Sequence, residues 1–150
     1  MSNDDFELDQ RLAADCEHVY ELPLCSLLLS KDANYPWLIL VPRIADATEF
    51  IDLNDQQRQG YQKESLLVSH FLKRFFSPDK LNIAALGNVV SQLHVHHIAR
   101  YKTDPAWPAP IWNAVPAKAY LQSEVERIIV GFTQYLHETK SGEQDDYFNH

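Results

Sequence analysis

The sequence predicts an α+β fold built on a largely antiparallel sheet. Two apolar runs, Leu22–Ser30 and Trp37–Val41, are separated by a short turn-forming segment. A second pair of candidate strands follows at Lys80–Leu86 and Val89–Ala99. Helical patterns flank and separate these pairs instead of alternating with single strands, which is the order expected of α+β proteins.

Taken in order, residues 6–20 read as an amphipathic helix. Leu8, Leu12, Cys16 and Tyr20 (or Val19) recur at helical spacing with acids between them. The turn between the first two strands contains Asp32, Asn34 and Pro36, all turn formers, and Pro42 closes the second strand. Asn54 with Gln57 three residues on has the form of a capping box. The helix it opens runs to about Phe76, ahead of Pro78, with Leu67, Phe71, Leu72, Phe75 and Phe76 as its apolar face. Gly87 and Asn88 suit a tight turn between the third and fourth strands. Residues 101–114 are rich in Pro and Trp and read as irregular. Pro116 suits the first turn of a last helix, whose core face is Leu121, Val125, Ile128, Ile129, Phe132 and Leu136. Residues 141–150 read as a mobile tail.

At 150 residues and with 45% hydrophobic content, the chain is long enough for one domain with a sizeable core. The net charge of −8 disfavours a protein that coats nucleic acid or docks on anionic lipid. That charge is uneven: residues 1–21 carry −6, residues 138–150 carry −3, and the stretch between is nearly neutral. No apolar run approaches the roughly 20 residues that span a bilayer, and the polar N-terminus does not resemble a secretory signal. Cys16 and Cys25 lie among apolar residues and read as reduced core thiols, so the expected location is the cytoplasm. With only 4 glycines and no Gly-rich phosphate loop, a dinucleotide-binding or P-loop enzyme is disfavoured.

Chemistry concentrates in one segment. Of 7 histidines, His18, His70, His137 and His150 read as boundary, surface or terminal residues, the first three on helices. The other three fall in Gln92-Leu93-His94-Val95-His96-His97-Ile98-Ala99-Arg100. On a strand, Gln92, His94, His96, Ile98 and Arg100 would share one face and His97 the other. Alternate residues about 6–7 Å apart suit successive contacts along a phosphate chain. One imidazole can attack phosphorus while another binds or protonates an oxygen, and Arg100 with backbone amides can stabilise the charge. A His-x-His pair can also bind zinc or copper, although no Cys, Asp or Glu nearby supplies a third ligand. A strand that happens to carry histidines is the plain alternative.

This segment resembles the histidine triad (HIT) family, whose pattern is His-φ-His-φ-His-φ-φ with φ apolar. Gly87 and Asn88 fall where members usually carry Gly-Gln, Val90 matches the apolar position that follows, and Asn82 lies near an upstream Asn. Trp37-Leu38-Ile39-Leu40-Val41-Pro42-Arg43 looks like the family strand ending in Pro-Lys or Pro-Arg. The resemblance spans about 22–105, with a helix added at each end of a single domain, 1–150.

The resemblance implies a nucleotide hydrolase or transferase acting on a phosphoanhydride or phosphoramidate, with diadenosine tetraphosphate as one substrate type. It implies His94 as the nucleophile that forms a nucleotidyl-histidine and His96 as the group that contacts phosphate and assists departure. Gln92 stands where the family has its first histidine and would orient the nucleophile. Asn88, Arg100 and Asn82 are the expected phosphate-side contacts, and Ser30 and Asp32 line the expected base and ribose pocket. Leu29 and Asn34 are expected to line it with them, and a plain turn at these four positions is the equal alternative. Trp107 and Trp112 either close over a base or anchor the irregular segment. A homodimer is expected, with no required cofactor, although Mg²⁺ on the substrate fits the chemistry. Gln92 also motivates a rival, a nucleotide-binding or adaptor module without turnover, and a metal-binding protein using His94, His96 and a further ligand is the third reading.

Overall fold

The apolar strands pair in one five-stranded antiparallel sheet, in a computed structural model that describes residues 5–140. Its strands are β1 (Cys16–Glu21), β2 (Cys25–Ser30), β3 (Trp37–Pro42), β4 (Lys80–Ala84) and β5 (Val95–Arg100). Their order across the sheet is β1-β2-β3-β5-β4, so the histidine strand lies between β3 and β4. The helices are α1 (Gln10–Asp15), α2 (Asp55–Phe76) and α3 (Gln122–Lys140), with a 3₁₀ turn at Phe50–Asp52. Residues up to Tyr120 form one compact unit and those from Leu121 a second. The tail expected at 141–150, with His150, lies outside the described residues.

Four expectations change. The first helix ends at Asp15, and the chain becomes extended at Cys16 (φ −133°, ψ 154°). Cys16 and Val19 are buried on β1, where pairing with β2 outweighs the helical spacing. That spacing still has a structural result, because Leu8, Leu12 and Cys16 meet in one cluster with Leu28, Ile39 and Val41. His18 is therefore on a strand, where its Nε2 contacts Glu21 at 2.6 Å.

The last two strands of the sequence do pair, from Lys80↔Arg100 to Ala84↔His96, but residues 85–94 are a loop and not a tight turn. Gly87 occupies the left-handed region at φ 72°. Beyond it, other partners draw the chain off the ladder. The Leu93 N–H donates to the Ala47 carbonyl (2.9 Å) and its side chain packs with Ile44, Ala47 and Leu53. Pro116 does not open a helix: α3 begins at Gln122, so Leu121 precedes it. Within α3, Val125, Ile128, Phe132, Leu136 and Thr139 recur on one face, and the Phe132 and Tyr135 rings lie 6.4 Å apart.

α2 follows its expected bounds. Asn54 Oδ1 accepts the Gln57 N–H, and Gln57 Oε1 accepts the Asn54 N–H. The buried face is Glu64, Val68, Phe71 and Leu72, rotated from the expected one because Glu64 joins it. Glu64 accepts the N–H groups of Leu24 and Cys25, which otherwise would be buried donors without partners. Burial pushes its carboxyl up, against those same hydrogen bonds. Each fully buried Val68, Phe71 or Leu72 contributes about 1.5–3 kcal/mol.

Residues opposed across an antiparallel pair project to the same face. Trp37 opposes Ile98 and Ile39 opposes His96, so Trp37 and Ile39 share a face with His96, Ile98 and Arg100. His97 projects to the other face, toward α2, where its Nε2 meets Ser65 Oγ at 2.7 Å. The α1 segment covers one half of the first face and residues 106–112 cover the other.

Candidate active site

His94 immediately precedes β5, and His96 lies within it. Both are 7% exposed. Their ring centroids are 5.0 Å apart at an interplanar angle of 76°. The backbone alternation that predicted a shared face holds for this pair.

The two rings are wired in opposite senses. His94 Nδ1 lies 2.6 Å from the Gln92 carbonyl oxygen. A carbonyl only accepts, so Nδ1 carries the hydrogen, and in the neutral ring the lone pair is on Nε2. His96 Nδ1 lies 2.9 Å from Trp37 Nε1. An indole N–H only donates, so Nδ1 of His96 is the acceptor and its hydrogen is on Nε2. The site thus pairs a nitrogen base with an N–H donor on adjacent rings of one face. Burial is the main force that lowers the His96 pKa to about 4, and His94 and His97 add to it. Burial lowers His97 to about 4 as well. Its Nδ1 donates to the Val95 carbonyl (3.1 Å), and its Nε2 accepts from Ser65.

Gln92 touches His94 through its main chain, not its side chain. Its Oε1 accepts the Asp9 N–H and its Nε2 donates to the Glu7 carbonyl, both at 2.8 Å. The amide that stands in the first triad position therefore fastens the N-terminal segment to the loop that carries the nucleophile candidate.

Arg100 and Asn82 are taken up elsewhere than at a phosphate. Arg100 is 1% exposed. Its Nε and Nη2 donate to the two Asp104 carboxylate oxygens (2.8 and 3.1 Å), its Nη1 donates to Asn82 Oδ1 (2.7 Å), and Nη2 also reaches the Ala109 carbonyl (2.8 Å). The guanidinium lies 5.8 Å from the Tyr35 ring and 5.6 Å from that of Trp107. Burial would raise the Asp104 carboxyl, yet Arg100 and the N–H groups of Tyr101 and Ala106 hold it below the usual range. Arg100 lies on β5, and its guanidinium pins residues 101–109 to the sheet.

Ser30, Asp32 and Asn34 build a turn. Asp32 Oδ1 accepts from the Asn34 N–H and side-chain amide (3.0 and 2.7 Å), and from the Lys118 N–H (3.1 Å). Ser30 Oγ accepts the Asp32 N–H at 3.3 Å, and Asn34 Nδ2 also donates to the Pro116 carbonyl. Leu29 is buried in the core. Asn88 is exposed in the 85–94 loop.

Nothing in the sequence marks the role of Trp37, and Trp107 and Trp112 take different places in the fold. Trp107 stacks by Arg100, whereas the Trp112 ring lies 4.8 Å from His96 and 5.6 Å from Trp37. A cleft of about 340 Å³ opens beside Trp112, between residues 110–112 and β4, with Asn82, Ala84 and Ile98 in its wall. Only the strand register brings Trp37 to His96, and no linear motif encodes it.

Among the described residues, no group of three or more His, Cys, Asp and Glu side chains could hold a metal ion. The two cysteines are free and buried. Burial pushes the Cys16 thiol up to about 12 and raises that of Cys25 too. Among the described residues, no helix is long and apolar enough to cross a membrane.

A strand carrying paired histidines, held between β3 and β4 of a five-stranded antiparallel sheet, defines the class. The HIT domain model matches residues 11–103, and the chain belongs to the histidine triad family. A histidine triad protein from Bradyrhizobium japonicum is 47% identical, with a TM-score of 0.85 over 87% of this chain and 97% of its own. One from Marinobacter aquaeolei VT8 is 41% identical, with a TM-score of 0.84 over 89% and 97%. One from Sinorhizobium meliloti 1021 is 38% identical, with a TM-score of 0.86 over 89% and 99%. Among proteins of curated function, none matches this chain.

Proposed function

We propose that the protein is a nucleotide hydrolase or transferase that works through a covalent nucleotidyl-His94 intermediate. The observation that carries this reading is the opposite wiring of His94 and His96. The His94 Nε2 lone pair forms a bond to the α-phosphorus, and the bond from phosphorus to the leaving group breaks with its electron pair. The His96 Nε2–H donates a hydrogen bond to a phosphoryl oxygen as charge develops there. Water then attacks the same phosphorus, the N–P bond breaks with its electron pair returning to His94 Nε2, and the proton lost by water passes to solvent, which releases a nucleoside monophosphate; another acceptor in place of water would carry the nucleotidyl group away. Gln92 supports the attack by fixing the His94 ring through its carbonyl. Asn88 and the Ser30–Asp32 turn are the candidate contacts to phosphate and nucleoside. The substrate is a dinucleoside polyphosphate such as diadenosine tetraphosphate, or a nucleoside phosphoramidate. No cofactor takes part, beyond Mg²⁺ carried on the substrate. A homodimer in the cytoplasm is the proposed working form.

A second reading is a nucleotide-binding module without turnover, favoured by the engagement of the Gln92 amide with Glu7 and Asp9. Incubation with labelled dinucleoside polyphosphates and nucleoside phosphoramidates, beside His94→Ala, separates the two. Mononucleotide release that requires His94 is expected. Binding by both proteins with turnover by neither overturns the enzyme.

A further inference from the structure

We infer that Trp37 makes this site selective for nucleotidyl substrates whose leaving group departs without a proton, such as phosphoanhydrides, over phosphoramidates of amines. The inference rests on the covalent reading above and narrows its substrate class.

The chemistry turns on what the leaving group needs. When the α-phosphorus of an anhydride passes to His94, a phosphate or polyphosphate leaves with the electron pair as an anion that is stable at neutral pH. When a phosphoramidate does so, the P–N bond breaks, and the nitrogen must gain a proton as it takes the electron pair. The group placed to supply that proton is His96, the other imidazole on the His94 face. To be an acid, His96 must be an imidazolium, with hydrogens on both ring nitrogens. Its Nδ1 is already the acceptor of the Trp37 Nε1–H at 2.9 Å. Two N–H groups cannot share one such bond, so protonation requires that this contact break. Trp112 packs on the same ring at 4.8 Å and helps exclude water. The titratable groups acting on His96 are His94 and His97, and both disfavour its cation. Gln92, in the remaining triad position, cannot carry a proton at neutral pH. The site is equipped to donate a hydrogen bond from His96 Nε2, and not to donate a proton.

Trp37 is therefore a positioning residue acting through His96. The test compares three adenosine 5′-phosphoryl substrates: diadenosine tetraphosphate, the p-nitrophenyl ester of adenosine monophosphate, and an N-alkyl phosphoramidate. The ester leaves without a proton but has no polyphosphate, so it separates leaving-group chemistry from phosphate-chain recognition. The anhydride and the ester should each exceed the phosphoramidate in kcat/KM by about 100-fold or more at neutral pH, the usual worth of a missing general acid. Trp37→Phe should narrow the gap by about 10-fold. The gain should appear as phosphoramidate turnover that rises as pH falls, whereas the ester loses rate, because the His96 Nε2–H is no longer fixed, and gains no such pH dependence.

Histidine-selective ¹⁵N spectra of the unaltered protein supply a measurement that needs no variant. They should show His96 as the Nε2–H tautomer from pH 8 to about 5. Phosphoramidate turnover equal to that of the other two substrates would overturn the inference. So would equal losses on all three substrates in Trp37→Phe without a change in pH profile, or a His96 ring protonated at Nδ1. Absence of a nucleotidyl adduct from all three substrates would instead remove the covalent reading itself.

Discussion

His94 and His96 carry the same side chain and sit two residues apart, yet they present opposite nitrogens. The difference is set by one carbonyl and one indole N–H. Their neighbour His97 spends both nitrogens inside the core. The low pKa values of His96 and His97 make stability depend on pH. Each ring is ordinary near 6.5 when unfolded and falls to about 4 when folded. Between those values the unfolded chain binds more protons, so the contribution is fully present above about pH 6.5 and is lost as pH falls toward 4. The loss should be up to about 3 kcal/mol per ring. Urea titrations at pH 7 and pH 4.5 check it, and equal midpoints would contradict it. Gln92 offers a second residue-scale prediction. Gln92→Ala frees the Glu7 carbonyl and the Asp9 N–H, which water can reach, and should cost about 0.5–1.5 kcal/mol of unfolding free energy. The readout is again the denaturant midpoint. The paired histidines were legible in the sequence because strand alternation alone placed His94 and His96 together. The tautomers were not, since they depend on Trp37, distant in sequence.

At the scale of elements, the segment after β5 is irregular as its Pro and Trp content predicts, and its organisation comes only with the fold. In the sequence, Asp104 carried no pattern that could be assigned. In the fold Asp104 is the hub: it receives Arg100 on both oxygens and the N–H groups of Tyr101, Ala106 and Trp107. This segment delivers Trp112 to His96. Arg100→Met should therefore leave a buried, unpaired Asp104 carboxylate and destabilise the protein by about 3–5 kcal/mol. A phosphate contact would behave differently, raising KM at unchanged stability. Thermal unfolding beside kinetics distinguishes the two. The capping box of α2 was legible because its signal is local, with Asn54 and Gln57 within one turn. The extent of α1 was not, because the partner that turns Cys16–Glu21 into a strand is β2, whose pairing no local window contains.

For the molecule as a whole, the acidic N-terminal charge gains a location. Asp5, Glu7 and Asp9 border a hollow of about 350 Å³ that Gln92 also lines. Part of the −6 of residues 1–21 thus falls beside the loop that carries His94. A short anionic substrate approaching His94 would meet this field. Neutralising Asp5 and Glu7 as Asn and Gln should speed association of a dinucleoside polyphosphate by about 2–5-fold at low salt. The same change should flatten the salt dependence, and stopped-flow binding across ionic strength reads both. An unchanged slope would remove the electrostatic role. The antiparallel sheet was legible at this scale from the paired apolar runs, whereas the order that sets β5 between β3 and β4 came only with the fold.

Covalent catalysis at this site requires the His94 Nε2 lone pair as the nucleophile toward phosphorus. Its most direct test is intact-mass analysis of samples quenched with denaturant at alkaline pH, where the N–P bond survives, during turnover of diadenosine tetraphosphate, with peptide mapping of any adduct under the same alkaline conditions. An adenylyl group on His94 should form and decay with turnover and be missing in His94→Ala. Turnover that proceeds with His94 unmodified, or that survives His94→Ala, would contradict it.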